Sequence, residues 1–242
     1  MTKTKSLSKR QREEQRQTRR LMIFGGGAAA IVAAAGVGVT FLPATFPEIE
    51  GVGTMRERLA KAGVGDHVMR LTPHIPSDDL LIIGTTDCSF CRKFISDGLE
   101  DAVAFAESNN LGLVYAATGA SATSLASSQL TQCIGTTGKG SVEVLKGIYD
   151  AAPYLGAEGA LADAAHDLGR RAGLTRSEIE DCISEKPVEV TRRIQGLGSA
   201  FPVQGTPMFS VSTKSDPERI AWFSGWSGKG GLRRQVLAAR GE

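Results

Sequence analysis

Leu80-Leu81-Ile82-Ile83-Gly84 leads, after three polar residues, into Cys88-Ser89-Phe90-Cys91, and this stretch decides the fold. The apolar run, closed by a glycine and two threonines, predicts a buried strand over 79–86. The residues that follow carry an apolar stripe at spacings of three and four, which predicts a helix over 91–109. Cys88 therefore lies between a buried strand and a helix N-terminus. Unpaired N–H groups and the helix dipole at such a terminus favour a thiolate, the form of cysteine that attacks disulfides.

The rest of the chain predicts an α/β domain with a long helical segment inside it. A second buried strand over 111–115 completes a strand–helix–strand unit, which implies parallel pairing with a right-handed crossover. Apolar stripes at helical spacing then extend over about 121–196. Two further strands and a closing helix are predicted over 204–211, 219–223 and 232–239.

The charge distribution argues against nucleic-acid binding. The net charge of +2 on 242 residues conceals a basic tail. Residues 1–20 hold eight Lys/Arg and two Asp/Glu, so the remainder is net acidic. The globular part lacks a basic patch interleaved with aromatic residues, and we expect no nucleic-acid partner.

The N-terminal region predicts export. Residues 21–42 carry no charge, and an uncharged segment of this length can cross a hydrocarbon core as one helix. The basic residues over 1–20 keep the N-terminus cytoplasmic by the positive-inside tendency, so everything after the apolar segment leaves the cytoplasm. Small residues around Ala33-Ala34-Ala35 leave a cleaved signal open as the alternative. The Pro-containing, charged stretch 43–78 is interpreted as a linker, with one short helix near 54–62.

Four segments together resemble the DsbA-like branch of exported thiol–disulfide oxidoreductases, which has a thioredoxin-like fold with a helical insertion. The resemblance covers about 79–241, and its combined spacing is more specific than any one motif. The four matching segments are Thr86–Phe94, Thr131-Gln132-Cys133, Glu180-Asp181-Cys182-Ile183 and Val203-Gln204-Gly205-Thr206-Pro207.

The resemblance implies roles for the matching residues. Cys88 is the expected nucleophile and Cys91 the more buried resolving cysteine. Pro207 is expected in the cis form, with Thr206 offering backbone groups to a substrate strand. We add Phe90, which the motif exposes, as an expected substrate contact. We expect no metal and no other cofactor, because Cys133 and Cys182 are isolated and no histidine pair has the spacing of metal ligands.

Cys133 and Cys182 have two readings. Each lies on an apolar helical face, where a free cysteine packs as a small hydrophobic residue. Export and the family resemblance favour the other reading, a structural Cys133–Cys182 disulfide across the insertion.

The expected function is disulfide exchange with protein substrates by a monomer. The domain would lie in the periplasm on a single-pass anchor in a bacterial inner membrane, or would be soluble there after signal cleavage. Its redox partner would be a membrane protein, either a quinone-linked oxidase or an electron-carrying reductase. The Ser-Phe dipeptide does not reveal the direction of electron flow. A DsbC/DsbG-like isomerase or reductase is the alternative within the class, and a copper-binding chaperone the alternative outside it.

Overall fold

A computed structural model describes residues 46–51, 53–73, 78–228 and 230–242. The expected basic tail over 1–20 and the expected anchor over 21–42 lie outside these residues. Within the described ranges, no helix combines the length and apolar character needed to cross a membrane.

The centre of the fold is a five-stranded sheet. Its strands are β1 (Met69–Arg70), β2 (Asp78–Gly84), β3 (Leu111–Ala117), β4 (Met208–Ser212) and β5 (Ile220–Ser224). They lie in the order β1-β3-β2-β4-β5. The β2/β3 pair is parallel, as the strand–helix–strand pattern predicts, and the other pairs are antiparallel.

Helices cover both faces of the sheet. They are α1 (Met55–Lys61), α2 (Ser89–Asp97), α3 (Leu99–Ser108), α4 (Ala122–Thr136), α5 (Val142–Ala151), α6 (Ala160–Arg171), α7 (Arg176–Ser184), α8 (Pro187–Ala200) and α9 (Gly231–Arg240), with a short 3-10 helix at Ala152–Tyr154. The insertion between β3 and β4 therefore contains α4 to α8 and ends at Ala200, a few residues beyond the expected limit.

Alternating side chains of β2 divide the core into two clusters, because successive residues of a strand point to opposite faces. Leu80 and Ile82 pack with α2 to α7 and α9 on one face. Leu81 and Ile83 pack with α1 and α8 on the other. The redox motif follows directly from the end of this doubly buried strand.

The helix predicted over 91–109 is two helices. Gly98 has non-helical dihedrals (φ −124°, ψ −14°) and separates α2 from α3. A Cβ at this position would lie 2.9 Å from the Trp226 ring, so the indole occupies the space that a side chain would fill. The break is a tertiary effect, and the local apolar stripe does not reveal it.

The stretch interpreted as a linker over 43–78 differs from that expectation, because its described residues pack against the domain. Met55 and Leu59 of α1 are buried, and β1 pairs with β3. Residues 47–49 run along the edge strand β5, with a hydrogen bond of 2.8 Å from Ile49 N–H to the Ile220 carbonyl. The short helix expected near 54–62 is confirmed as α1, whereas its docking on the domain and the added strand β1 were not expected.

Candidate active site

Cys88 is the N-cap residue of α2, and its sulfur faces the loop before β4. The Cys91 N–H donates to Cys88 Sγ at 3.2 Å, and the Cys88 thiol donates to the Thr206 carbonyl at 3.1 Å. The sulfur thus lies beside the first N–H groups of the helix, which have no hydrogen-bond acceptor within the helix. Cys88 is partly exposed, whereas Cys91, one turn into the helix, is 1% exposed.

The loop opposite the cysteines is anchored to β5. The Thr206–Pro207 peptide bond is cis. The Gly225 N–H donates to the Pro207 carbonyl at 2.8 Å, and the Ser224 hydroxyl donates to the Gly205 carbonyl at 3.3 Å. These bonds hold Thr206 beside Cys88, although the two residues are 118 positions apart in the chain.

The two thiols have opposite electrostatic environments. Burial alone would raise the pKa of Cys88, but hydrogen bonds from the Thr206 side chain and from the N–H groups of Cys91 and Phe90 outweigh it, so the pKa is lowered. The bond to the Thr206 carbonyl exists only while the thiol is protonated and opposes this shift in part. Burial raises the pKa of Cys91 to about 12. Cys88 is therefore the thiol that ionises first.

Two contacts tie the turn before the cysteines to the insertion. The Ser121 hydroxyl, at the start of α4, donates to the Asp87 carboxylate at 2.7 Å. The Arg92 guanidinium donates to the Tyr149 carbonyl of α5 at 3.2 Å and to the Thr86 carbonyl at 3.3 Å. Sequence reasoning missed these contacts, because nothing local indicates which part of the insertion folds back onto the motif.

Phe90 extends from the motif into solvent and is 60% exposed. Phe94, one turn further along α2, is fully buried and meets Phe209 and Trp226 edge-on at ring-centroid distances of 5.2 and 6.0 Å. The aromatic residues near the motif thus divide into one exposed ring and a buried cluster that supports α2.

Cys133 and Cys182 are joined in a disulfide that connects α4 to α7, with Cα atoms 5.4 Å apart. Gln129 lies one turn before Cys133 and donates to the Cys182 carbonyl at 2.7 Å. The insertion is therefore held together covalently as well as by packing. In the part of the chain that the structure describes, no group of three or more His, Cys, Asp or Glu side chains is arranged to hold a metal ion.

A mixed sheet with one parallel strand pair, a Cys-x-x-Cys at the N-terminus of α2 and a cis-proline loop facing it define a thioredoxin-like fold. Helices α4 to α8 form a helical insertion within this fold.

Solved structures support this assignment. The fold is similar to that of alpha-DsbA1 from Wolbachia pipientis, with a TM-score of 0.56 and 12% identity over 73% of this chain and 91% of that one. A protein-disulfide isomerase from Novosphingobium aromaticivorans has a TM-score of 0.51 and 16% identity, over 73% of this chain and 99% of that one. A thioredoxin-like oxidoreductase from Silicibacter pomeroyi DSS-3 has a TM-score of 0.50 and 19% identity, over 73% of this chain and 94% of that one. No family model and no curated protein matches the sequence. The chain is thus DsbA-like in fold, as the motifs indicate.

Proposed function

We propose that the protein is a thiol–disulfide oxidoreductase that exchanges disulfides with protein substrates through Cys88 and Cys91. The observation that carries this proposal is the asymmetry of the two thiols. Cys88 is accessible and its pKa is lowered, while Cys91 is buried with a pKa of about 12. The thiolate is the attacking species in disulfide exchange, so this asymmetry assigns the first attack to one sulfur.

The reaction follows from that assignment. In the reducing direction the Cys88 thiolate attacks a substrate disulfide, a Cys88–substrate bond forms, and one substrate sulfur leaves with the electron pair. Cys91 then attacks Cys88 and the second substrate sulfur leaves, so the substrate gains two electrons and the protein becomes the disulfide. In the oxidising direction the same steps run backwards. Thr206 and Phe90 flank Cys88 and would contact the substrate chain.

The cellular setting is a further part of the proposal. The uncharged segment over 21–42 and its basic flank support export, either on an inner-membrane anchor or after cleavage of a signal. Export suits a chain with a structural disulfide, which persists in an oxidising compartment. We propose a membrane protein as the redox partner, and a monomeric domain.

Insulin reduction by thiols, together with oxidation of a reduced model protein, tests the activity. Wild type should catalyse at least one of the two reactions, and Cys88→Ser should abolish it. Tyr154→Phe, at a tyrosine that is 72% exposed, is the control and should keep the activity. Tight Cu(I) binding that depends on Cys88, with no exchange in either assay, would overturn the proposal and favour the copper chaperone. Sedimentation as a tight dimer would favour the isomerase.

A further inference from the structure

Two tyrosines are buried beneath the active-site turn. Tyr115 on β3 is 1% exposed and Tyr149 on α5 is 2% exposed, and their hydroxyl oxygens are 2.8 Å apart. Both side chains belong to the core cluster that contains Cys91. Two hydroxyls in an otherwise apolar core require an explanation, because a buried polar group costs free energy unless it is hydrogen-bonded.

The hydroxyl pair lies against the end of β2. A Cβ at Gly84 would be 2.9 Å from the Tyr115 oxygen and 3.1 Å from the Tyr149 oxygen, so the absence of a side chain makes room for them. Hydrogen bonds from the Thr206 side chain and, to a smaller extent, from the backbone of the next residue, Thr85, partly offset the rise in the pKa of Cys91. Gly84, which packs against the two hydroxyls, and Thr85, whose backbone is hydrogen-bonded to the Cys91 thiol, are therefore adjacent in the chain.

One of the two tyrosine O–H groups is not used in the hydrogen bond between them. Two hydroxyls carry two protons, and the bond between them uses one. Among the residues that the structure describes, neither hydroxyl has another partner. Burial raises the pKa of Tyr115 and of Tyr149, so both hydroxyls stay protonated. A buried O–H group without an acceptor is uncommon in a native core.

We propose that this remaining O–H is the hydrogen-bond donor that stabilises the Cys91 thiolate when Cys91 resolves the mixed disulfide. The inference rests on the proposed function and adds a role for two residues outside the redox motif. Cys91 is buried, and a buried thiolate needs donors in place of the water it has lost. The charge of Cys91 contributes to the raised pKa of both tyrosines, so the hydroxyl pair lies within electrostatic reach of its sulfur, and the remaining O–H can turn towards the thiolate when it forms.

The tyrosines exchange no proton or electron in this step. Cys91 loses its proton to solvent, and its thiolate attacks Cys88 Sγ. The Cys88–Cys91 bond forms as the bond from Cys88 to the substrate sulfur breaks. The electron pair leaves on the substrate sulfur, which takes a proton from solvent. The O–H stabilises the charge on Cys91 before the attack and is released as the disulfide forms.

A chromogenic aromatic disulfide mixed with the reduced protein separates the two cysteines. Attack by Cys88 releases one coloured thiolate, and attack by Cys91 on the resulting mixed disulfide releases a second. The Tyr115→Phe/Tyr149→Phe variant should keep the first rate and slow the second by about tenfold or more, as expected for losing a hydrogen bond to a charged group. The pH profile of the second phase should move to higher pH. Tyr154→Phe, at a tyrosine that is 72% exposed, is the control and should change neither phase.

An unchanged second phase in the double variant would overturn the proposal, as would equal slowing of both phases, which indicates a general disturbance of the site. If the double variant fails to fold, the single variants replace it, and at least one of them must slow the second phase selectively. Failure of the proposed function looks different. A wild type that shows both phases yet exchanges no disulfide with protein substrates would refute the function and leave the tyrosine effect measurable.

Discussion

Gly196 and Gly198 of α8 offer a matched pair of substitutions that tests whether α1 is docked on the domain. A Cβ at Gly196 would lie 2.1 Å from the Ala62 carbonyl oxygen, just after α1, whereas a Cβ at Gly198 would have no atom within 4 Å. Alanine in place of a helical glycine stabilises a helix by roughly 0.5–1 kcal/mol, and this gain is common to both positions. Subtracting one variant from the other therefore leaves the clash with the backbone at Ala62, which overpacking data place at about 1–3 kcal/mol.

Urea unfolding of the two variants and wild type measures the difference. Gly198→Ala should equal or exceed wild type in its free energy of unfolding, and Gly196→Ala should fall below Gly198→Ala by about 1–3 kcal/mol at an unchanged m-value. If the two variants agree within about 0.5 kcal/mol, the carbonyl of Ala62 does not lie over Gly196. In that case the segment before β2 is a spacer, as the sequence pattern alone suggests, and the docking of α1 described here is wrong.

Three further predictions concern the cysteines and Phe90. Because Cys133 and Cys182 are joined at a sequence separation of 49, replacing both with alanine should cost about 4 kcal/mol of unfolding free energy in the chain-entropy model. A loss below about 1 kcal/mol in chemical denaturation would contradict this. The lowered pKa of Cys88 keeps its thiolate populated as pH falls, so alkylation of Cys88 in reduced protein should persist at lower pH than that of a free cysteine peptide, while Cys91, with a pKa of about 12, should stay unreactive; equal rates for both cysteines by mass spectrometry would refute the asymmetry. Phe90→Ala should raise the KM for a protein substrate several-fold and leave the reaction with a small aromatic disulfide unchanged. If the KM for the protein substrate also stays unchanged, Phe90 does not contact the substrate.

The parts of the site that the sequence predicts are those fixed by local chemistry. The apolar run over 80–84, the two cysteines and the start of a helix are contiguous, so hydrophobic periodicity and spacing are enough to indicate strand, motif and helix. The Gly-Thr-Pro loop is distant in sequence, and only the resemblance to a family connected it with Cys88. The structure supplies the contact, a bond of 3.1 Å between the Cys88 thiol and the Thr206 carbonyl.

The features that the sequence does not reveal depend on tertiary packing. Gly98 interrupts a continuous helical stripe because Trp226, from the loop before α9, occupies the space beside it. The tyrosine pair joins β3 to the insertion, and each tyrosine alone reads as an ordinary core aromatic. The stretch over 43–78 carries prolines and charges typical of a linker, yet Met55 and Leu59 are buried when α1 meets α8. In each case the partner lies far away in the chain, where a local pattern carries no information.

Trapping the mixed disulfide tests the central claim most directly. A Cys91→Ser variant, incubated with a disulfide-containing protein substrate, should accumulate one covalent complex through Cys88, identified by peptide mass spectrometry and lost on reduction. This complex is expected for Cys91→Ser and not for Cys88→Ser, since Cys88 is the accessible sulfur with the lowered pKa. A complex that forms through Cys91, or no complex with either variant while wild type exchanges disulfides, would contradict it.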